Sequence, residues 1–366
     1  MEGVLSGIRV VELAAIGPIP WAMMLAADMG ASVIRITRPG TADDVLPTAR
    51  GRVTVELDLK SEAGLDTCKR FLARADVLVE GMRPGALERL GLAPEVCHSI
   101  NPALVIGRMT GWGQAGPMAA LAGHDINYIA LNGVLHAVGR DRPTPPLNLV
   151  ADFGGGGTFL LIGILSALLS ARRTRRGEVV DAAMIDGSAS LSTMVYERLM
   201  QGRWSDRRGT NSLDGGTPWY DVYATSDGCY MAVGCNEPHF YEAFLDALGL
   251  DPATLPGRHA REQWPALRAA FAQRFAQRTR AEWIAVFDGV DACVTPVLSL
   301  LEAPEHPHNA ARGTYMCWDG HPIPSPAPRF VGRPNEPAAR SAKATPEEAL
   351  ATWSPDPPAR VLGNAR

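Results

Sequence analysis

The sequence predicts an α/β fold, with a large domain built on a parallel sheet and a smaller α+β domain after it. Three observations predict this. Short apolar runs alternate with helix-forming segments through the first part of the chain, the pattern that strand–helix–strand units of a parallel sheet leave behind. The chain is 366 residues long, more than one hydrophobic core ordinarily serves. After about Thr217 the pattern changes, and two short strands come before a group of amphipathic helices.

In order, Ile8 to Leu13 is a short apolar run fit for a buried strand. Gly17-Pro18 breaks it, and Trp21 to Met29 reads as a helix ending at Gly30, a residue suited to a helix C-terminus. Ser32–Ile36 and Val53–Leu57 are the next strands, and Glu62–Ala75 is a helix. Val77–Val79 and Leu104–Gly107 follow as strands. Thr158–Ala171, the most apolar run, is 14 residues long, too short to cross a bilayer and typical of a buried helix. Val179–Ala182 is another strand and Ser188–Gln201 another helix. The large domain is therefore expected over 1–200.

Residues 201–216 are polar and rich in arginine and glycine, and read as a linker. The small domain, 217–300, opens with strands Tyr220–Ala224 and Tyr230–Val233 around the turn Ser226-Asp227-Gly228. Helices at Pro238–Leu248, Trp264–Gln277 and Arg280–Phe287 complete it. The remainder, 301–366, is dense in proline and glycine without a long periodic segment, an extended arm or a poorly ordered end.

Composition excludes several classes. With 46% hydrophobic and 20% charged residues the chain reads as an ordinary globular protein. A net charge of −4 gives no sign of nucleic-acid or membrane partners. The basic run Arg172, Arg173, Arg175 and Arg176 follows an apolar helix, where cations suit the helix C-terminal dipole. The six cysteines form no C-x-x-C pair and no metal-ligand spacing, so no metal is expected. Scattered thiols and the lack of a secretory pattern point to a cytoplasmic protein. No G-x-G-x-x-G follows the first strand, and no Gly-Lys-Ser/Thr follows Gly154-Gly155-Gly156-Gly157, so no nucleotide-cofactor fingerprint is present. The glycine run reads as a tight turn opening the Thr158 helix, with Asp152 just before the helix start.

Two proton-transfer groups, His124 and Asp152, stand 28 positions apart, the first directly after Gly123 and the second two residues before the run Gly154–Gly157. One can give a proton while the other takes one. A core histidine and a helix-capping aspartate fit the same spacing, and on spacing alone that ordinary reading is the stronger.

The surrounding residues add more. Leu5-Ser6-Gly7-Ile8-Arg9-Val10-Val11-Glu12-Leu13, Gly123-His124-Asp125-Ile126-Asn127-Tyr128, and Pro146-Leu147-Asn148-Leu149 leading into Ala151-Asp152-Phe153 resemble the α-methylacyl-CoA racemases of the family III CoA-transferase superfamily. The resemblance covers nearly the whole chain. It implies a Rossmann-like large domain to which the chain returns after the small domain, and an interlocked homodimer. It implies that His124 and Asp152 are the two bases of a 1,1-proton transfer at the 2-methyl centre of an acyl-CoA. Glu237, in Gly234-Cys235-Asn236-Glu237-Pro238, would orient His124. Arg38 in Arg38-Pro39-Gly40, the segment Leu57-Asp58-Leu59-Lys60, and Arg83 in Glu80-Gly81-Met82-Arg83-Pro84-Gly85 match the family's CoA-binding positions. Gly123, Asp125, Ile126, Asn127 and Tyr128 would complete the substrate site, with amides around Gly123 and Asp125 facing the enolate oxygen. Ile16, Trp21, Leu25, Tyr128 and Trp219 are expected in an apolar wall for the acyl chain. The CoA thioester is itself the substrate, so no further cofactor is implied. Ala49-Arg50-Gly51-Arg52 departs from the family pattern, though Arg52 keeps a cation. The rival is a CoA-transferase with Asp152 as nucleophile; transferases of this family generally lack the histidine. An inert CoA-binding protein is a further rival, against which His124, Asp152 and Glu237 together weigh.

Overall fold

Six strands that follow one another through the first half of the chain lie side by side, and a seventh joins them from near its far end. A computed structural model describes residues 3–42 and 45–353. The first six strands are β1 (Arg9–Leu13), β2 (Ser32–Thr37), β3 (Arg52–Glu56), β4 (Val77–Glu80), β5 (Val105–Thr110) and β6 (Val179–Ala183). Later in the chain come β7 (Tyr220–Ala224), β8 (Tyr230–Gly234), β9 (Val294–Pro296), β10 (Tyr315–Trp318), β11 (His321–Pro324) and β12 (Ala342–Lys343). The main sheet has the order β12-β3-β2-β1-β4-β5-β6, and every pairing in it is parallel. Chain order reverses at β1, which lies between β2 and β4. Loops at the carboxyl ends of strands beside such a reversal open into a crevice where ligands bind.

The central strands are apolar because helices cover both faces; Val77, Leu78 and Val79 are all fully buried. The exceptions are charges in pairs. Glu12 on β1 and Arg52 on β3 are both fully buried, with Arg52 Nε 2.8 Å from Glu12 Oε2. Arg52 also donates to the carbonyls of Thr48 and Pro20. Arg50 pairs with Asp28 at 2.6 Å. The stretch that departs from the family pattern thus puts both its arginines into internal ion pairs.

The chain divides into two units: residues 1–132, 147–192 and 313–366, and residues 133–146 with 193–312. This differs from the sequence expectation at three points. The segment expected as one helix, Ser188–Gln201, is two helices, Met184–Leu191 and Thr193–Met200, and the boundary falls between them. Residues 201–216 are a hydrogen-bonded loop of the second unit and no loose linker. Buried Asn211 donates to the carbonyls of Ser205 and Arg207 and to Asp214, and accepts from Ser205 N. Residues 133–146 belong to the second unit because Arg140 reaches Asp221, a buried residue of β7 that also pairs with Arg268.

The return segment is more ordered than its composition predicts. β12 pairs with β3 at the sheet edge, Ala338 N donates to Asp28 at 2.9 Å, and the Pro346–Thr352 helix buries Ala349, Leu350 and Trp353 in the core beside Phe71. The proline-rich end beyond 353 lies outside the described residues.

In the second unit β7, β8 and β9 form an antiparallel sheet. The Pro238–Leu248, Trp264–Phe275 and Arg280–Phe287 helices supply Phe244, Phe271, Phe275 and Trp283 to its core, each fully buried. Trp219 packs edge-on against Tyr241 and Trp264 in that core, and it also lines a cavity of the same unit with Asn236 and Arg258.

The largest correction concerns the glycine run. Leu149–Gly157 is a π-helical stretch continuous with the Thr158–Thr174 helix, and Thr158 N bonds back to Phe153 O. π-Helical turns concentrate at functional sites. The glycines are there for close packing: a Cβ on Gly155 would lie 2.3 Å from Ser188 N, and one on Gly157 would lie 2.7 Å from the Trp21 ring. The joined helix, Leu149–Thr174, has 26 residues and is long and apolar enough to cross a bilayer by length and composition. Leu160, Ile164 and Ala171 are among its residues buried in the fold, and it packs along β5 and β6, as a core helix does.

Candidate active site

The first unit brings His124 and Asp152 together. β5 ends at Thr110, and a loop leads to His124, which caps the short Asp125–Leu131 helix. Tyr128 braces this loop from beneath. Its hydroxyl donates to Gly123 O at 2.5 Å, and its ring stands edge-on to Trp112, with centroids 4.8 Å apart. A Cβ on Gly111 would lie 2.1 Å from the same ring. Tyr128 is buried and serves the loop. Asn127 Oδ1 accepts from His124 N at 3.0 Å, so Asn127 fixes the histidine's backbone. The His124 and Ile126 side chains are exposed.

Asp152 lies in the first turn of the Leu149 helix. It is not ahead of the helix start, as the glycine run suggested. Asn148 Nδ2 donates to its Oδ2 at 3.2 Å. Burial pushes the Asp152 carboxyl above the usual aspartate range, and the nearby Asp125 carboxylate adds to the shift; the Asn148 hydrogen bond and His124 oppose it. A carboxyl held in this way can take a proton and also give one back.

Asp125 is placed differently from expectation. Its side chain is buried, with the residue only 4% exposed, and its Oδ2 accepts from Ala151 N at 2.7 Å and Asp152 N at 2.8 Å. Its side chain binds the other half of the site. The far end of its helix is held as well, because Asn132 Nδ2 donates to Ser188 Oγ at 2.7 Å and to Ile185 O at 3.2 Å. Three helices that begin at Asp125, Leu149 and Met184 thus hold one another around the pair.

The expected CoA positions lie in loops after three parallel strands on either side of β1. Arg38 follows β2, Lys60 follows β3 and Arg83 follows β4, and all three are exposed. Asp58 Oδ1 accepts from Lys60 N at 3.0 Å, a turn that leads into the Ser61-capped Glu62–Leu72 helix. Leu57 is buried in the core at 8% exposure, and Leu59 packs against that core. Leu57 can therefore offer a ligand its backbone and not its side chain. Glu80 holds the Arg83 loop by accepting from Met82 N at 2.6 Å and from Arg108 Nε at 2.7 Å. Ile16, after β1, is 88% exposed, and Trp21 packs on Phe153 with ring centroids 5.4 Å apart.

Glu237 stands in the second unit, exposed at the N-terminus of the Pro238–Leu248 helix. The two residues before it are held by Arg258, which donates to Cys235 O at 3.1 Å and Asn236 O at 2.6 Å while lying over the Trp219 and Tyr241 rings. Sequence reasoning missed Arg258, Asn148 and the buried role of Asp125; only Asn148 had a signal, from its place in the Pro146–Leu149 motif. A cavity of about 520 Å³ in this unit is lined by Arg140, Tyr220, Asp221 and Cys293, and holds none of the expected site residues. Among the described residues no group of three or more His, Cys, Asp or Glu is placed to hold a metal.

Fold and site together define a parallel α/β protein with His124 and Asp152 close together after β5 and three cations in loops that follow other strands of the sheet. Residues 5–348 match the model of CoA-transferase family III, and the chain belongs to that family. It is 47% identical over 347 residues to the alpha-methylacyl-CoA racemase of Mus musculus, covering 94% of this chain and 90% of that protein. With the Homo sapiens alpha-methylacyl-CoA racemase it shares 45% identity over 337 residues, covering 91% and 88%. The fold is similar to the crystal structure of a CAIB/BAIF family protein from Brucella suis, with a TM-score of 0.81 at 26% identity over 96% of this chain and 99% of that one.

Proposed function

We propose that the chain is an α-methylacyl-CoA racemase, interconverting the 2R and 2S forms of 2-methylacyl-CoA thioesters. The observation that carries this is His124 beside Asp152 in a chain 47% identical to a racemase of the family. The hydrogen on the carbon next to a thioester is weakly acidic, so removing it needs a nearby base and donors for the enolate oxygen. One base takes the proton and leaves an enolate; the conjugate acid of the other gives a proton to the opposite face. His124 serves one enantiomer and Asp152 the other. Burial moves the Asp152 carboxyl above the usual aspartate range, which suits a group that must both take and give a proton.

Amides around Gly123 and Asp125 are the proposed donors to the enolate oxygen. Arg38, Lys60 and Arg83 are the proposed partners of the CoA phosphates, and Glu237 is proposed to orient His124. Proton transfer of this kind needs no cofactor beyond the substrate's own CoA. A homodimer is part of the proposal, supported by the resemblance and by apolar Ile162 and Leu169 left exposed on the Thr158–Thr174 helix. Cytoplasmic residence is also proposed, on the six free thiols.

The test is chiral chromatography of a single 2-methylacyl-CoA enantiomer incubated with the protein alone. The expected result is an approach to a mixture of both forms with the thioester intact. The transferase reading predicts instead that CoA moves to an added free carboxylate, with a hydroxylamine-sensitive adduct on Asp152. That outcome would replace the racemase reading.

A further inference from the structure

We propose that Asp125 is the positioning residue of the acid–base pair: its buried carboxylate fixes Asp152 relative to His124. This rests on the racemase reading for what the pair does, though not for the tether itself. Asp125 is joined to His124 by a peptide bond, and its Oδ2 holds the amides of both Ala151 and Asp152. One buried side chain therefore spans the 28 positions between the two groups, on segments that share no strand pairing. At 4% exposure it cannot reach an acyl-CoA.

Its other oxygen, Oδ1, is buried without a hydrogen-bond partner. A tether alone would be served as well by asparagine, at less cost in desolvation. The unpaired oxygen faces a second consequence. The ionisable groups around Asp152 are Asp125, His124 and the Tyr128 hydroxyl, and Asn148 donates to it. Of these, Asp125 raises the proton affinity of Asp152 and His124 lowers it. Removing the Asp125 charge eases ionisation of Asp152, so its pKa falls.

Asp125→Asn and Asp125→Ala in the full-length protein separate tether from charge. Asparagine keeps an acceptor for both amides and loses the charge; alanine loses both. Hydrogen exchange at the Ala151 and Asp152 amides is expected to accelerate in Asp125→Ala and to stay near wild type in Asp125→Asn. That readout holds whether or not the protein racemises anything. In turnover assays kcat of Asp125→Ala is expected to fall about 10²-fold, the cost of a misplacement of ~1 Å, with KM unchanged. For the enantiomer deprotonated by Asp152, the acid limb of the kcat/KM profile is expected to move to lower pH in Asp125→Asn. A raised KM with kcat intact would make Asp125 a substrate contact and overturn the proposal. Unchanged amide exchange in Asp125→Ala, or an unmoved acid limb in Asp125→Asn, would do the same. Wild-type protein without any racemisation would refute the proposed function, and the amide measurement would still decide the tether.

Discussion

His124→Ala and Asp152→Asn are each expected to lower racemisation by about 10²–10⁴-fold, the usual worth of a positioned proton-transfer group. The losses differ in kind. With His124 removed, Asp152 still exchanges the 2-hydrogen of one enantiomer with solvent; with Asp152 neutralised, His124 exchanges only the opposite one. Glu237→Gln is milder, because it changes how His124 is held and leaves the imidazole in place. Exchange measured from each pure enantiomer in all three variants checks the series. Equal exchange of both enantiomers by both single variants would mean that one mobile base serves both faces.

The second large effect is on stability. Glu12→Ala costs about 3–5 kcal/mol, because it leaves a buried guanidinium without its counter-charge. Arg52 is 1% exposed on β3 and reaches past β2 to Glu12 on β1, and its remaining acceptors are carbonyls of Thr48, Arg50 and Pro20. Arg35, whose Nε is 3.8 Å from Glu12, loses the same carboxylate. Glu12→Gln keeps an acceptor for Arg52 and costs less. Urea denaturation of the three proteins measures the difference. A loss below about 1 kcal/mol for Glu12→Ala, the range of exposed pairs, would show that water reaches Arg52 in the folded state.

Why β4 and β5 were legible while other elements were not follows from what each residue meets. Val77 to Val79 is an unbroken apolar run because both faces of the sheet are covered, and a strand buried that way announces itself. The start of the Leu149 helix does not. Glycine reads locally as a turn, and only the crossing helix, with its Ser188 backbone against Gly155, makes glycine the residue that fits. β12 is two residues long and has no period to detect; Trp353 is buried because its partner Phe71 is waiting, a fact held far away in sequence.

The site divides in the same way. His124 and Asp152 stand out in the sequence only through the motifs that hold them, Gly123–Tyr128 and Pro146–Phe153, because residue type and spacing alone fit a core histidine and a capping aspartate as well. Asp125 could be named but not understood, since a carboxylate in a loop looks the same whether it meets a ligand or two buried amides. Tyr128 could be named by its place in the motif, while its hydroxyl's bond to Gly123 O is visible only in the fold. Glu237 has nothing in its own surroundings to mark it, an exposed acid at a helix start, and its assignment stands on resemblance.

Two bases on opposite faces of one carbon leave a signature in the fate of a single hydrogen. The direct measurement takes one enantiomer of a 2-methylacyl-CoA into deuterated water and stops the reaction within the first tenth of conversion. Mass spectrometry then reads the 2-position of the product and of the recovered substrate separately. The two-base account predicts that the inverted product carries deuterium from the first turnover, while recovered substrate still carries mainly protium. Product that retains the substrate's own protium would mean that one group carried the hydrogen from face to face, and would contradict the assignment of His124 and Asp152 as a pair.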